Sequence, residues 1–238
     1  MEEENGNKNK NSNMMIPGAI IFAGVIISGA VIYSSGSAGP GKAGAVAAED
    51  GAQNGAIENV KPVTEDDHIR GSIDATVMVV EFSDLQCPFC QRFHVTMKQV
   101  IEDYDGQVAW VYRHFPLKSI HARATGEAEA SECAAELGGN DAFWAFVDGI
   151  FEAEPNISLE DLPQIAESVG IDGENLKSCL EEGRYKDAVQ ADVEDGLNSG
   201  GQGTPYGIVI AADGTKFVIP GALPLESVKE IIDRALEN

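Results

Sequence analysis

The sequence predicts an α/β domain carried behind a membrane-spanning helix, on three observations. A buried strand read over Val77–Phe82 runs directly into Cys87-Pro88-Phe89-Cys90 and a helical pattern. A long helical block then separates a second buried strand from a return of β signals near the C-terminus. Finally, residues 14–33 (MMIPGAIIFAGVIISGAVIY) hold twenty positions without a charge.

Size and charge bound the rest. The 238 residues, 43% of them apolar, suffice for one globular domain of ordinary size with some non-globular sequence besides. With 39 acidic against 16 basic side chains and a formal charge of -23, the chain lacks the clustered Lys and Arg that phosphates require. No nucleic acid partner is expected, and the acidity favours solubility instead.

Residues 1–13 are polar and read as a cytoplasmic tail. The uncharged run 14–33 has the length to cross ~30 Å of hydrocarbon as a transmembrane helix. A buried core helix would sit among amphipathic neighbours, whereas polar, Gly-rich sequence follows here. Ala45-Val46-Ala47 resembles a signal-peptide cleavage site but lies well beyond the run, so an uncleaved signal-anchor is the preferred reading. Lys8 and Lys10 precede the span and only Lys42 follows closely, a bias that places the N-terminus in the cytoplasm and the rest outside the cell membrane. Membrane lipid is thus an expected partner of the N-terminal helix. Residues 34–60, rich in Gly, Ala and Ser, read as a flexible linker, and the globular domain is expected over 61–238.

The domain opens with turn chemistry at Asp66, Asp67, Gly71 and Ser72, and Val77–Phe82 then suits a strand buried on both faces. Past the cysteines, apolar residues recur at Phe93, Met97, Val100, Ile101 and Tyr104, a helical spacing closed by Asp105-Gly106. A second buried strand covers Val108–Phe115. Residues 119–200 read as several helices: Ala130, Cys133, Ala134 and Leu137 share one face, as do Leu159, Leu162, Ala166 and Val169, while Ser158 and Asp172 suit N-caps. The β signals return at Ile208–Ile210, the Asp213-Gly214 turn and Phe217–Ile219, before a closing helix over Leu225–Leu236.

A CxxC pair serves zinc sites, haem attachment or redox chemistry, and its surroundings separate these. No His follows Cys90 and no second CxxC completes a zinc site, so neither metal nor cofactor is expected. Placement after a buried strand and at a helix start suits dithiol exchange, because free N–H groups and the positive end of the helix dipole stabilise a thiolate. Cys87 would be that thiolate, exposed to an incoming substrate disulfide, and Cys90, one turn on, would resolve the mixed disulfide. Pro88 fits the first helical turn, where its missing N–H would be unpaired anyway.

Three blocks in order carry a resemblance: Val80-Glu81-Phe82-Ser83-Asp84 with Cys87-Pro88-Phe89-Cys90, then Arg113-His114-Phe115-Pro116-Leu117 with His121, then Gly203-Thr204-Pro205. From about His68 to Leu236 the chain resembles the DsbA-like thiol-disulfide oxidoreductases of the thioredoxin superfamily. The resemblance implies a thioredoxin fold with a helical insertion between the second and third core strands. It implies a cis bond before Pro205, with Thr204 and Pro205 beside Cys87 and, together with Pro88 and Phe89, available to a bound substrate strand. It further implies that Glu81, six residues before Cys87, is a buried acid of raised pKa exchanging protons with Cys90. The plainer alternative is that Glu81 reaches a Lys or solvent and only balances charge.

The strongest oxidants of that family carry His between the cysteines, where this chain has Pro88 and Phe89, and a less stabilised thiolate means a less oxidising disulfide. The implied activity is a dithiol oxidase acting on cysteine-containing proteins outside the membrane, served by a redox partner, either a membrane quinone-linked reoxidase or a thiol reductant. An isomerase or reductase of the same fold, or a tethered peptide-binding module without redox turnover, are the alternatives.

Cys133 and Cys179 each fall on the apolar face of an expected helix. They are either two buried free thiols or a structural disulfide, which an oxidising compartment favours. His94, His114 and His121 pair with no Asp or His at ligand spacing and read as packing or polar-surface residues.

Overall fold

The computed structural model describes residues 55–238, so the expected tail 1–13, the anchor 14–33 and most of the linker 34–60 lie outside the described residues. Among the described residues, no helix is long and apolar enough to cross a membrane. In chain order the elements are β1 (His68–Arg70), β2 (Val77–Ser83), α1 (Pro88–Asp103), β3 (Val108–His114), α2 (Ala124–Ala153), α3 (Leu162–Ser168), α4 (Gly173–Glu182), α5 (Lys186–Asn198), β4 (Tyr206–Ile210), β5 (Lys216–Ile219) and α6 (Leu225–Leu236).

The strands form one sheet in the order β1-β3-β2-β4-β5. Only β2 and β3 run parallel, with Glu81 opposite Tyr112 and Val79 opposite Trp110. Every β3 residue is buried, as both-face coverage of a central strand requires. This is the thioredoxin-like α/β fold, with helices α2 to α5 inserted between β3 and β4.

One face of the sheet packs Val79, Trp110, Tyr112 and Val209 against Phe93, Met97 and Val100 of α1, Ile232 of α6 and the insertion. The other face packs Val80, Phe82, Val111 and Ile208 against Phe115 and Tyr206. Ile57 and Val60 join that second cluster, so the packed domain starts before Lys61, inside the stretch read as tether. Composition averaged over 34–60 hides two apolar side chains that the fold uses as a seal. Helix α5 closes the same face, and a Cβ at Gly196 would stand 2.6 Å from the Phe115 ring, which explains glycine there. The buried Arg113 donates to Asp67 (2.8 Å) and Asp195 (2.7 Å), and also to the carbonyls of Lys61 and Pro62. It thereby fastens the lead-in segment and α5 to β3.

In the insertion, Ala130, Cys133 and Ala134 are buried together, but Leu137 and Leu159 end the expected faces 37% exposed. Ser158 forms a capping box with Asp161, and Asp172 accepts from the Asn175 N–H (2.9 Å). The long α2 is two segments broken at Gly139, whose φ of 76° and ψ of -167° suit glycine alone. Cys133 and Cys179 form a disulfide joining α2 to α4 across 46 residues of sequence.

Two outcomes follow from this architecture. Replacing Cys133 and Cys179 together by Ala should lower the unfolding free energy by about 4 kcal/mol in the chain-entropy picture, read by denaturant titration; a loss below about 1 kcal/mol would mean that the bridge constrains little. Gly139→Ala should cost roughly 1–3 kcal/mol from backbone strain alone, since no atom lies within 4 Å of the added Cβ.

Candidate functional site

The buried β2 ends at Ser83, and the chain turns through Asp84 to Gln86 before α1 begins. Cys87 is the N-cap residue in extended conformation, and Pro88 occupies the first helical position. The Cys87 N–H donates to the Asp84 carbonyl (3.0 Å), and the Asp84 N–H points at the Cys90 sulfur (3.5 Å). Both cysteines are free thiols.

The two sulfurs differ in environment. Cys90 lies wholly inside, and its thiol hydrogen-bonds Cys87. That bond is the largest cause lowering the Cys87 pKa to about 5; backbone N–H groups of Cys90 and Phe89 and the Thr204 side chain lower it further, against burial. The Cys90 thiol is pushed well above its ordinary value by burial first and by the bond to Cys87 second. Of the pair, Cys87 is therefore the thiolate at neutral pH. It is also only 4% exposed, less open than its place at a helix start suggested, while its neighbours Pro88 and Phe89 are exposed. The reason is the opposing loop: Cys87 Sγ lies 3.6 Å from the Thr204 carbonyl oxygen. The Thr204-Pro205 bond is cis, as is Glu154-Pro155, which nothing in the sequence singled out.

Glu81 is wholly buried on β2, with the Trp110 indole N–H donating to its Oε2 (2.9 Å) and Oε1 left without a partner. Burial raises its pKa to about 7, and the Trp110 hydrogen bond offsets only part of that. Among the described residues no Lys hydrogen-bonds Glu81, and solvent does not reach it. The charge of Glu81 also contributes to the raised Cys90 pKa, which places the acid electrostatically beside the inner sulfur. Cys87, Cys90, Glu81, Thr204 and Pro205 are thus brought to one place, with Pro88 and Phe89 at its rim; Cys133 and Cys179 sit apart in the insertion.

Several residues around this site went unread in the sequence. Trp110 and Tyr112 share the face of β3 that meets Glu81, which strand alternation could have shown once the parallel pairing was assumed. The histidines are not bland packing. His121 Nδ1 bonds the buried Asp84 (2.8 Å), His94 bonds Asp148 (2.5 Å), and His68 and His114 both bond Glu132 (3.0 and 3.1 Å). Each partner is far away in sequence, so spacing could not reveal it.

A nucleophilic sulfur at a helix start, a protonated partner one turn on and a cis-proline loop across from them define the thiol-disulfide oxidoreductase class. The profile described as thioredoxin matches residues 63–234, and the chain belongs to that family. Among solved structures, it is similar to DsbA2 of Pseudomonas aeruginosa (25% identity, TM-score 0.64), covering 75% of this chain and 98% of that one. Oxidised BdbD of Bacillus subtilis is similar too (26% identity, TM-score 0.63, covering 72% and 94%). The described residues thus share the fold of these DsbA-type proteins. Curated relatives are longer: the Na(+)/H(+) antiporter NhaA 3 of Salinispora tropica is 35% identical over 156 residues, which span 65% of this chain but only 23% of the antiporter. A homologous segment therefore occurs within larger membrane-transport proteins.

The acid beneath the sulfurs gives a measurable pH signature. Glu81 holds its proton in folded and unfolded chains below about pH 4.5, and only the folded chain holds it between that value and about 7. Stability from this group is present at low pH and is lost as pH rises through about 7. Glu81→Gln should therefore match the parent near pH 4 and exceed it above pH 7, by about 3 kcal/mol at most. Parallel stability curves for the two proteins across that range would show that Glu81 is not a buried, protonated acid.

Proposed function

We propose that this chain is an extracytoplasmic dithiol oxidase, tethered to the membrane by residues 14–33, whose Cys87–Cys90 disulfide passes to cysteine-bearing proteins. The single observation that carries the reading is the opposed shift of the two thiols, Cys87 down to about 5 and Cys90 well up. A stabilised Cys87 thiolate favours the reduced enzyme at neutral pH, which makes the disulfide the better oxidant. The Cys90 thiol does for Cys87 what a His between the cysteines would otherwise do.

In the forward direction a substrate thiolate attacks Cys87 Sγ of the disulfide. The Cys87–Cys90 bond breaks, and Cys90 leaves as a thiolate that needs a proton; in this reading Glu81, with a pKa of about 7, supplies it. A second substrate thiolate then attacks the substrate sulfur of the mixed disulfide, expelling the Cys87 thiolate, a good leaving group because its pKa is low. Two electrons pass from the substrate dithiol to the enzyme, and a redox partner, a membrane quinone-linked reoxidase in this reading, must remove them. The Thr204-Pro205 backbone and the exposed Pro88 and Phe89 would hold the substrate strand beside Cys87. The Cys133–Cys179 bridge supports an oxidising compartment, since such bonds persist there.

Equilibration of the purified protein with glutathione tests the direction. An oxidase should show a Cys87–Cys90 potential above about -200 mV; a value near the roughly -270 mV of thioredoxin would make it a reductase. Cys87→Ser should abolish turnover, whereas a peptide-binding module would keep its activity.

A further inference from the structure

Two carboxyl groups and a guanidinium lie beside the dithiol and take no part in the exchange chemistry. Glu127 is wholly buried, the Glu154 side chain nearly so, and both meet Arg123: its Nε donates to Glu127 Oε1 (2.9 Å) and its Nη2 to Glu154 Oε1. Two such acids could not both be charged here without a shared cation. Burial, together with the Glu154 charge, raises the Glu127 pKa to about 7, and Arg123 and Glu154 are the charged groups facing it.

The cluster reaches the residues on either side of the cysteine pair. Upstream, the side-chain oxygen of Gln86, next to Cys87, accepts the backbone N–H of Arg123 (2.9 Å). Asp84 reinforces that shoulder, accepting from the N–H groups of Gln86 (2.9 Å) and Leu117 (2.7 Å) and from His121. Downstream, the side-chain amide of Gln91, next to Cys90, donates to the carbonyls of Phe151 and Glu154. The bonds form a closed ring: Gln86 to Arg123, Arg123 to Glu154, Glu154 to Gln91, and back through the cysteine turn.

We infer that Arg123, acting through this ring, is a positioning residue that holds the first turn of α1 in the geometry Cys87 needs for thiol exchange. The inference rests on the oxidoreductase reading of the dithiol and deepens it. The groups that stabilise the Cys87 thiolate are the Cys90 thiol and two backbone N–H groups of that same turn, together with Thr204 across from it. Small displacements of the turn change those hydrogen bonds directly, and Arg123 links the two shoulders, its backbone N–H to Gln86 and its guanidinium to Glu154, whose carbonyl accepts from Gln91.

The test is the pH profile of iodoacetamide alkylation of Cys87 in the reduced full chain, with folding followed by circular dichroism. Arg123→Gln should raise the ionisation midpoint by about one unit, giving ~10-fold less thiolate below both midpoints. Arg123→Lys keeps the charge without the fork and should recover only part of the shift. Gln91→Met opens the ring elsewhere without altering charge and should shift the midpoint in the same direction by roughly threefold in thiolate. Combined with Arg123→Gln it should add less than its separate effect, as members of one ring must.

Folded variants with the parent's profile would overturn the inference and reduce the cluster to a fastening of the insertion. If Arg123→Gln does not fold, the Gln91→Met profile decides alone. A parent protein that ionises as described but transfers no disulfide would instead overturn the oxidoreductase reading, leaving the shift between parent and variants readable.

Discussion

One proton unequally held between two sulfurs is the constraint on which the site depends. A thiolate can persist on Cys87 only because Cys90, sealed inside, keeps its proton and donates it as a hydrogen bond. Remove the burial and the two thiols would compete as near equals, leaving neither a good nucleophile nor a good leaving group. The asymmetry is built first by backbone placement and burial, with the Glu81 charge adding to it: Cys87 caps the helix, and Cys90, one turn on, is sealed inside.

That arrangement makes Glu81 consequential. A carboxylate sealed under a thiolate would add a second negative charge to a dry space, so the acid keeps its proton far above the ordinary carboxylate range and is about half protonated near pH 7, with Trp110 as its donor. Protons on Glu81, Cys87 and Cys90 then titrate as one system, because the charge on each raises the cost of charging the others. Such strain must be carried by the surrounding fold. Here it is carried by the fully buried β3 and its nearly buried partner β2, by the Arg113 ion cluster and by the covalent staple in the insertion.

How much of this could be read from the sequence follows from the range of each interaction. The β2 strand, the α1 start and the α6 limits are local patterns, and the last falls at Leu225 and Leu236 as expected. Three-residue β1 is too short for any period to register and is held by pairing with β3, a long-range event. Ile57 and Val60 were lost in a Gly- and Ala-rich average, although two side chains are enough to seal a sheet face. Within the site, the cysteines, Glu81 and Thr204-Pro205 were legible through their motifs. Trp110, Asp84 with His121, and the two glutamines flanking the pair were not, because each acts through a partner dozens of residues away.

The path of α2 argues against an insertion that merely covers a complete catalytic core. A straight helix over its 30 residues would hold its ends about 45 Å apart. Instead Arg123, just before its first residue, hydrogen-bonds Glu154, just after its last. The break at Gly139 folds the helix back on itself, and both ends return to the shoulders of the cysteine turn. The far end of this hairpin is pinned by Cys133, close to the bend, so the staple and the ring clamp opposite ends of the same unit. A hairpin held at both ends transmits position rather than merely covering surface, and it makes the geometry of Cys87 a property of the insertion as well as of the thioredoxin core.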